Sequence, residues 1–213
     1  MITKIILSVF IAVSIFHLIV ACLNKPVLQG ISKLCIVPPL LAAYLVTAEN
    51  LVFTVVLAAV FGWAGDALLL KIDNKKFFQA GLLCFLAGHV CYAISLLHFA
   101  EDLNITALVI SGAVSLALAV IVFFVIRPSA DMRIPVIAYE LFIMAMVLSA
   151  FQLFIQRFDY ISVLVFGGSI AFLVSDSILA YFSFRRLPKY GNLAVMLPYI
   201  AAQGCIIIGL ALL

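Results

Sequence analysis

The sequence predicts an all-α integral membrane protein, a bundle of eight transmembrane helices. Of its 213 residues, 68% are apolar and only 10% are Asp, Glu, Lys or Arg, against about a quarter charged in soluble domains. The mean hydropathy is +1.36. The apolar residues fall into eight runs separated by short gaps that hold nearly all the charge. Such runs match the roughly 20 residues a helix needs to cross a bilayer core of about 30 Å. This composition excludes a water-soluble globule and a disordered chain. With a net charge of +3 it also excludes a typical nucleic-acid binder.

The expected spans are residues 2–23, 31–48, 51–70, 77–99, 103–126, 134–156, 160–184 and 191–213. The first ends in Ile19-Val20-Ala21-Cys22, which also fits a lipoprotein cleavage box. Its apolar run is longer than the usual signal-peptide core, and cleavage there would reverse the charge pattern described below. The second contains Pro38-Pro39, which must kink it; neighbouring helices can re-satisfy the freed backbone groups. The third carries Gly62, Gly65 and Asp66, the fourth His89 and Tyr92, the sixth Glu140. The seventh carries Gly167-Gly168 and Asp176, and the eighth Pro198, Tyr199 and Gln203. No repeat or linker divides the chain, so residues 1–213 are expected to form one polytopic domain. The five cysteines (Cys22, Cys35, Cys84, Cys91, Cys205) form no CxxC and lie inside apolar runs. They read as small buried hydrophobes rather than disulfides or metal ligands.

Alternating crossings place Lys25, Lys33, Lys71, Lys75, Lys76, Arg127, Arg133, Arg185, Arg186 and Lys189 on one side, and Lys4 and Arg157 on the other. The positive-inside rule makes the first side cytoplasmic, so both termini are expected outside. Glu49, Glu101, Asp102 and Asp159 fall on the outer side.

Asp66, Glu140 and Asp176 lie within spans, where an ionisable group is costly and usually faces inward for a purpose. From the helical rise they lie roughly 6, 9 and 12 Å from the cytoplasmic ends of their spans. All three can therefore line one cavity. His89, Tyr92, Tyr199 and Gln203 lie deeper, and Lys33 stands at the mouth of the second span. The bland reading is a set of polar plugs and interhelical glue, with His89 a satisfied core histidine. The glycines beside the acids let helices approach closely. Two carboxyls buried near one another hold unlike protonation states, one acid and one base. That pair suits protonation of an acid-labile ether and passage through an oxocarbenium ion, a problem glycosidases also solve with two carboxyls. The pattern calls for no metal and no other cofactor.

Several local words have a familiar order: Gly65-Asp66-Ala67-Leu68-Leu69, Gly88-His89-Val90-Cys91-Tyr92, Ser175-Asp176-Ser177-Ile178-Leu179 and Pro198-Tyr199-Ile200-Ala201-Ala202-Gln203. With Ser32-Lys33 before them, they resemble the YhhN family of multispanning membrane proteins, which includes the lysoplasmalogenases. Here Lys33 is followed by Leu34, with the prolines later, where the family tends to have Lys-Pro. The resemblance implies eight transmembrane helices and hydrolysis of the vinyl ether bond of a lysoplasmalogen. The products would be a fatty aldehyde and a glycerophospho-ethanolamine or -choline. It implies Asp66 and Asp176 as the catalytic pair, with Lys33, His89, Tyr92, Glu140, Tyr199 and Gln203 binding or supporting. The partners are then a lysophospholipid substrate and membrane lipids, with the phosphate near Lys33 or Lys71.

Other readings stay open on these residues. Buried acids with a histidine also make proton relays, so a proton-coupled transporter of a small molecule or lipid is the alternative. An intramembrane aspartyl protease fits less well: Trp63 stands at the first Gly position of its Gly-x-Gly-Asp word, and Tyr139-Glu140 replaces its Tyr-Asp. A purely structural protein leaves three intramembrane acids without a purpose.

Overall fold

The computed structural model describes residues 1–23, 25–71, 73–100, 102–185 and 188–213. Glu101 and Arg186, assigned to opposite sides above, lie outside the described residues. The described residues form nine α-helices, one 3-10 turn at Ala130–Met132 and no strand. The helices are α1 (Ile2–Cys22), α2 (Pro26–Leu34), α3 (Val37–Thr47), α4 (Phe53–Leu69), α5 (Lys75–Phe99), α6 (Ile105–Ile126), α7 (Arg133–Arg157), α8 (Tyr160–Ser183) and α9 (Gly191–Ala211). Taken as one broken crossing, α2 and α3 bring the membrane-length apolar segments to seven. The 17 residues of α4 reach only roughly 26 Å, and this short helix completes a bundle of eight. The chain is a multi-pass membrane protein.

The second crossing departs from expectation. Its helix begins at Pro26, before residue 31, and it breaks at Cys35-Ile36 rather than at the prolines themselves. The cause lies three residues beyond the break, at Pro38-Pro39. Pro38 and Pro39 have no N–H to offer the carbonyls of Leu34 and Cys35, and their rings crowd those carbonyls. The prolines therefore sit in the first turn of a new helix, where a missing N–H costs nothing. The N–H groups of Cys35 and Ile36 turn back to Ser32 and Lys33 at 3.2 Å each. The freed Leu34 carbonyl accepts the indole N–H of Trp63 at 2.9 Å, which ties the break to α4.

Polar side chains fix both ends of the bundle. At one end the Thr3 and Thr47 hydroxyls meet at 3.3 Å, and Gln152 clamps the Asn104 backbone at 3.1 and 3.2 Å. Asn104 also caps α6 by accepting from the Ala107 N–H. At the other, basic end Lys75 pairs with Asp131. There Arg185 donates to the Val125 carbonyl at 3.0 Å, and Asn192 donates to Gln29 at 3.0 Å.

The most extensive packing joins α8 to α9, α4 to α5 and α5 to α7. Helix α6 is peripheral, with only Ala119 and Ile126 buried. A methyl group at Gly168 would come 2.8 Å from the Cys205 side chain and 3.2 Å from the Ala202 carbonyl, so glycine lets α8 touch α9. Gly167 faces open space and takes no part in that approach. All five cysteines are free thiols, as expected, but Cys22 and Cys35 are exposed and the others half-buried rather than buried. They fill lipid-facing and boundary positions, not the core.

Candidate active site

Asp66 is 1% exposed on α4 and is gripped at both oxygens. Lys33, reaching across from α2, places Nζ 3.0 Å from Oδ1. The Tyr199 hydroxyl of α9 donates to Oδ2. Behind it, Gln203 donates to the Tyr199 oxygen at 3.2 Å, and the Tyr92 hydroxyl of α5 donates to Gln203 Oε1 at 3.0 Å. Local structure makes this possible. Gly65 leaves the space that the Phe85 ring occupies, 2.6 Å from where a Cβ would stand. Near Pro198, the Ser175 hydroxyl donates to the Val195 carbonyl at 3.0 Å, pinning α9 to α8 one turn from Tyr199.

Asp176 on α8 is 7% exposed and is gripped at one oxygen only. The Tyr139 hydroxyl of α7 donates to Oδ2, and His89 Nε2 of α5 lies 3.3 Å from the same atom and 3.0 Å from the Tyr139 oxygen. The tyrosine hydrogen is committed to Asp176, so His89 carries its proton on Nε2 and donates. Oδ1 makes no hydrogen bond among the described residues. Asp176 instead lines two small hollows. One, of about 30 Å³, is walled by Phe78, Leu82, Phe85, Val136 and Tyr139. The other, of about 20 Å³, lies against Glu140 and Ile143. Either is large enough for a water molecule.

No hydrogen bond joins the two carboxyls among the described residues. Aromatic rings stand between their partners. Phe172 lies edge-on to His89, with centroids 4.7 Å apart, and to Tyr199 at 5.6 Å; Phe85 lies edge-on to Phe172 and Tyr199, both at 6.3 Å. The arrangement is two hydrogen-bonded carboxyl sites across an aromatic pair, not a dyad sharing one proton.

A cavity of about 710 Å³ opens at the basic end, with Lys33, Arg185, Gln29, Asn192, Asp73 and His17 in its wall. Leu179 and Ser183 line both this cavity and the 30 Å³ hollow beside Asp176. Lys33 thus faces the cavity while its ammonium holds Asp66. No group of three His, Cys, Asp or Glu side chains among the described residues could hold a metal ion.

The family model described as the YhhN family matches residues 28–210. The chain belongs to the YhhN family. No curated protein and no solved structure matches it.

In this YhhN-family chain the structure gathers Lys33, Tyr92, Tyr199 and Gln203 around Asp66, and His89 beside Asp176. Glu140 reaches the Asp176 hollow but touches neither carboxylate, and its Oε1 has no hydrogen-bond partner. Lys71 is not in the site: its ammonium stands over the Phe77 ring at 4.9 Å. Sequence reasoning missed Tyr139, the hydroxyl closest to Asp176, although it directly precedes Glu140. It also missed His17, a lone imidazole in the first apolar run, because depth was weighed only for the acids and their neighbours.

Proposed function

We propose that this YhhN-family protein is a membrane-embedded hydrolase that cleaves the vinyl ether bond of lysoplasmalogens. The products are a fatty aldehyde and a glycerophospho-ethanolamine or -choline. The single observation carrying this reading is the pair of buried carboxyls beside a basic-end cavity, one fully tied and one with a free oxygen. The positive-inside rule makes the basic end cytoplasmic and puts both termini outside. The phosphate then sits in the cavity near Lys33 and Arg185, and the alkenyl end lies against Phe78, Phe85 and Val136.

The tied and free carboxyls divide the work. Asp176, through Oδ1, delivers a proton to the vinyl carbon remote from the ether oxygen. The π electrons form the new C–H bond, leaving an oxocarbenium ion at the adjacent carbon and oxygen. Asp66 keeps its negative charge beside Lys33 and stabilises that cation, and the ring faces of Phe85 and Phe172 add to this. Water from the hollow adds to the oxocarbenium carbon and returns a proton to Asp176. The resulting hemiacetal collapses: the bond to the glycerol oxygen breaks, that oxygen takes the hydroxyl proton, and the aldehyde leaves. Tyr139 and His89 orient Asp176, while Tyr199, Gln203 and Tyr92 orient Asp66. Glu140 supports the Asp176 side through the adjoining hollow.

Purified protein in liposomes containing a 1-alkenyl lysophospholipid is expected to release free aldehyde. Asp66→Asn and Asp176→Asn are expected to impair release strongly while keeping the folded elution profile. Normal release by both variants would contradict the mechanism. Movement of the lipid across the bilayer without aldehyde would favour a transporter instead.

A further inference from the structure

His17 stands on α1, outside the residues that match the family, and is 2% exposed. His17 is among the residues that line the 710 Å³ cavity, together with Lys33. Its Nδ1 lies 2.8 Å from the Ser32 hydroxyl oxygen, and the Ser32 hydrogen is already donated to the Leu28 carbonyl at 2.7 Å. Nδ1 must therefore carry the hydrogen and donate it. In the neutral ring this leaves Nε2 as an acceptor, and Nε2 has no hydrogen-bond partner among the described residues. Gln29 and Asn192, on the same wall, are bonded to each other at 3.0 Å. A buried acceptor without a donor is costly, and it is met when a ligand brings the missing hydrogen.

The geometry points to His17 as a residue that reads a ligand hydroxyl, the free sn-2 hydroxyl of a lysophospholipid whose phosphate lies by Lys33 and Arg185. This rests on the hydrolase reading for the identity of the lipid. In such a molecule the sn-2 hydroxyl sits between the sn-1 ether and the phosphate. Lys33 likewise stands between Asp66 and the cavity, with its Nζ 3.0 Å from Asp66. A diradyl lipid has an ester at sn-2 and no hydrogen to donate, so the same atom that welcomes the lyso form disfavours the diradyl form.

The test is binding rather than turnover. Two probes are used with the full chain in nanodiscs: a saturated 1-O-alkyl lysophosphoethanolamine, which has no cleavable vinyl ether, and its 2-deoxy counterpart. Wild type is expected to bind the hydroxyl probe up to about tenfold more tightly, the value of one neutral hydrogen bond. His17→Leu is expected to bind both probes equally, and His17→Gln, which keeps an acceptor, to retain part of the preference. Equal binding of both probes by wild type, no binding of either, or a preference that survives in His17→Leu would overturn the proposal. If His17→Leu does not fold, His17→Gln decides: a preference equal to that of wild type overturns the proposal, and a reduced one supports it. Selective binding without aldehyde release from the vinyl ether lipid sinks the hydrolase reading alone; cleavage without hydroxyl preference sinks the His17 proposal alone.

Discussion

Asp66 and Asp176 occupy comparable places on the inner faces of α4 and α8, but the protein surrounds them differently. Around Asp66 both carboxylate oxygens are engaged, one by the Lys33 ammonium and one by Tyr199, and two further side chains brace the tyrosine. Around Asp176 one oxygen is engaged by a hydroxyl and an imidazole, the other makes no hydrogen bond among the described residues, and the residue lines a hollow. A carboxyl ion-paired at one oxygen and hydrogen-bonded at the other is held as a fixed part of the structure. A carboxyl with one oxygen left open can exchange a proton with something that enters. The proposed mechanism follows this contrast and gives unlike roles to two residues that look alike in sequence.

The strongest way to break this contrast is to neutralise each carboxyl in turn. Asp176→Asn is expected to lower aldehyde release by about 10³-fold or more, the scale of a lost general acid. Asp66→Asn should also be strongly impaired but should leave a residual rate above that of Asp176→Asn, since it removes charge stabilisation and not the proton. Steady-state aldehyde assays on the purified variants check the order; a reversed order would exchange the two roles.

Next in size is the ion pair itself. Lys33→Met leaves Asp66 buried without its cation and should cost about 3–5 kcal/mol, read as a large fall in Tm in detergent. The double variant Lys33→Met with Asp66→Asn removes both charges and should recover most of that loss. If the single and double variants melt alike, Lys33 is not compensating Asp66. No comparable stability loss is expected for His89→Gln at the other site.

The tyrosines sharpen the comparison further. Tyr199→Phe and Tyr139→Phe each delete one hydroxyl donor to a buried carboxyl and should each cost about 1–3 kcal/mol. Tyr139→Phe should reduce turnover more, because its loss lets Asp176 turn away from the hollow. The smallest effect is expected at the break between α2 and α3. Trp63→Phe strands the Leu34 carbonyl at a cost of about 1 kcal/mol, and it should weaken lipid binding slightly by loosening the helix that carries Lys33. Unchanged Tm would mean another donor covers that carbonyl.

Much of this was legible in the sequence for a physical reason. Eight crossings follow from apolar run length, because nothing else satisfies the backbone in lipid. Asp66 and Asp176 stand out because a carboxyl within a span is expensive, and the Gly65 gap beside Asp66 serves the packing it suggests. What stayed hidden depends on rotation about helix axes and on bends. Depth alone grouped His89 with both acids, whereas its face of α5 turns it to Asp176. The break at Cys35-Ile36 brings Lys33 inward from the mouth to Asp66, and only the carbonyl geometry ahead of Pro38-Pro39 reveals it. Tyr139 and His17 bear no permanent charge, so cost-based reasoning passed over them. Lys71, basic and near the right end, was drawn to the site by its charge, while its side chain lies over Phe77.

The most direct test follows the proton. Hydrolysis of a 1-alkenyl lysophospholipid by the purified protein in D₂O should place one deuterium on the carbon next to the aldehyde carbonyl, and Asp176→Asn should form no such product. Aldehyde that lacks deuterium at that carbon, or deuterated aldehyde formed by Asp176→Asn at the wild-type rate, would contradict proton delivery to carbon by Asp176.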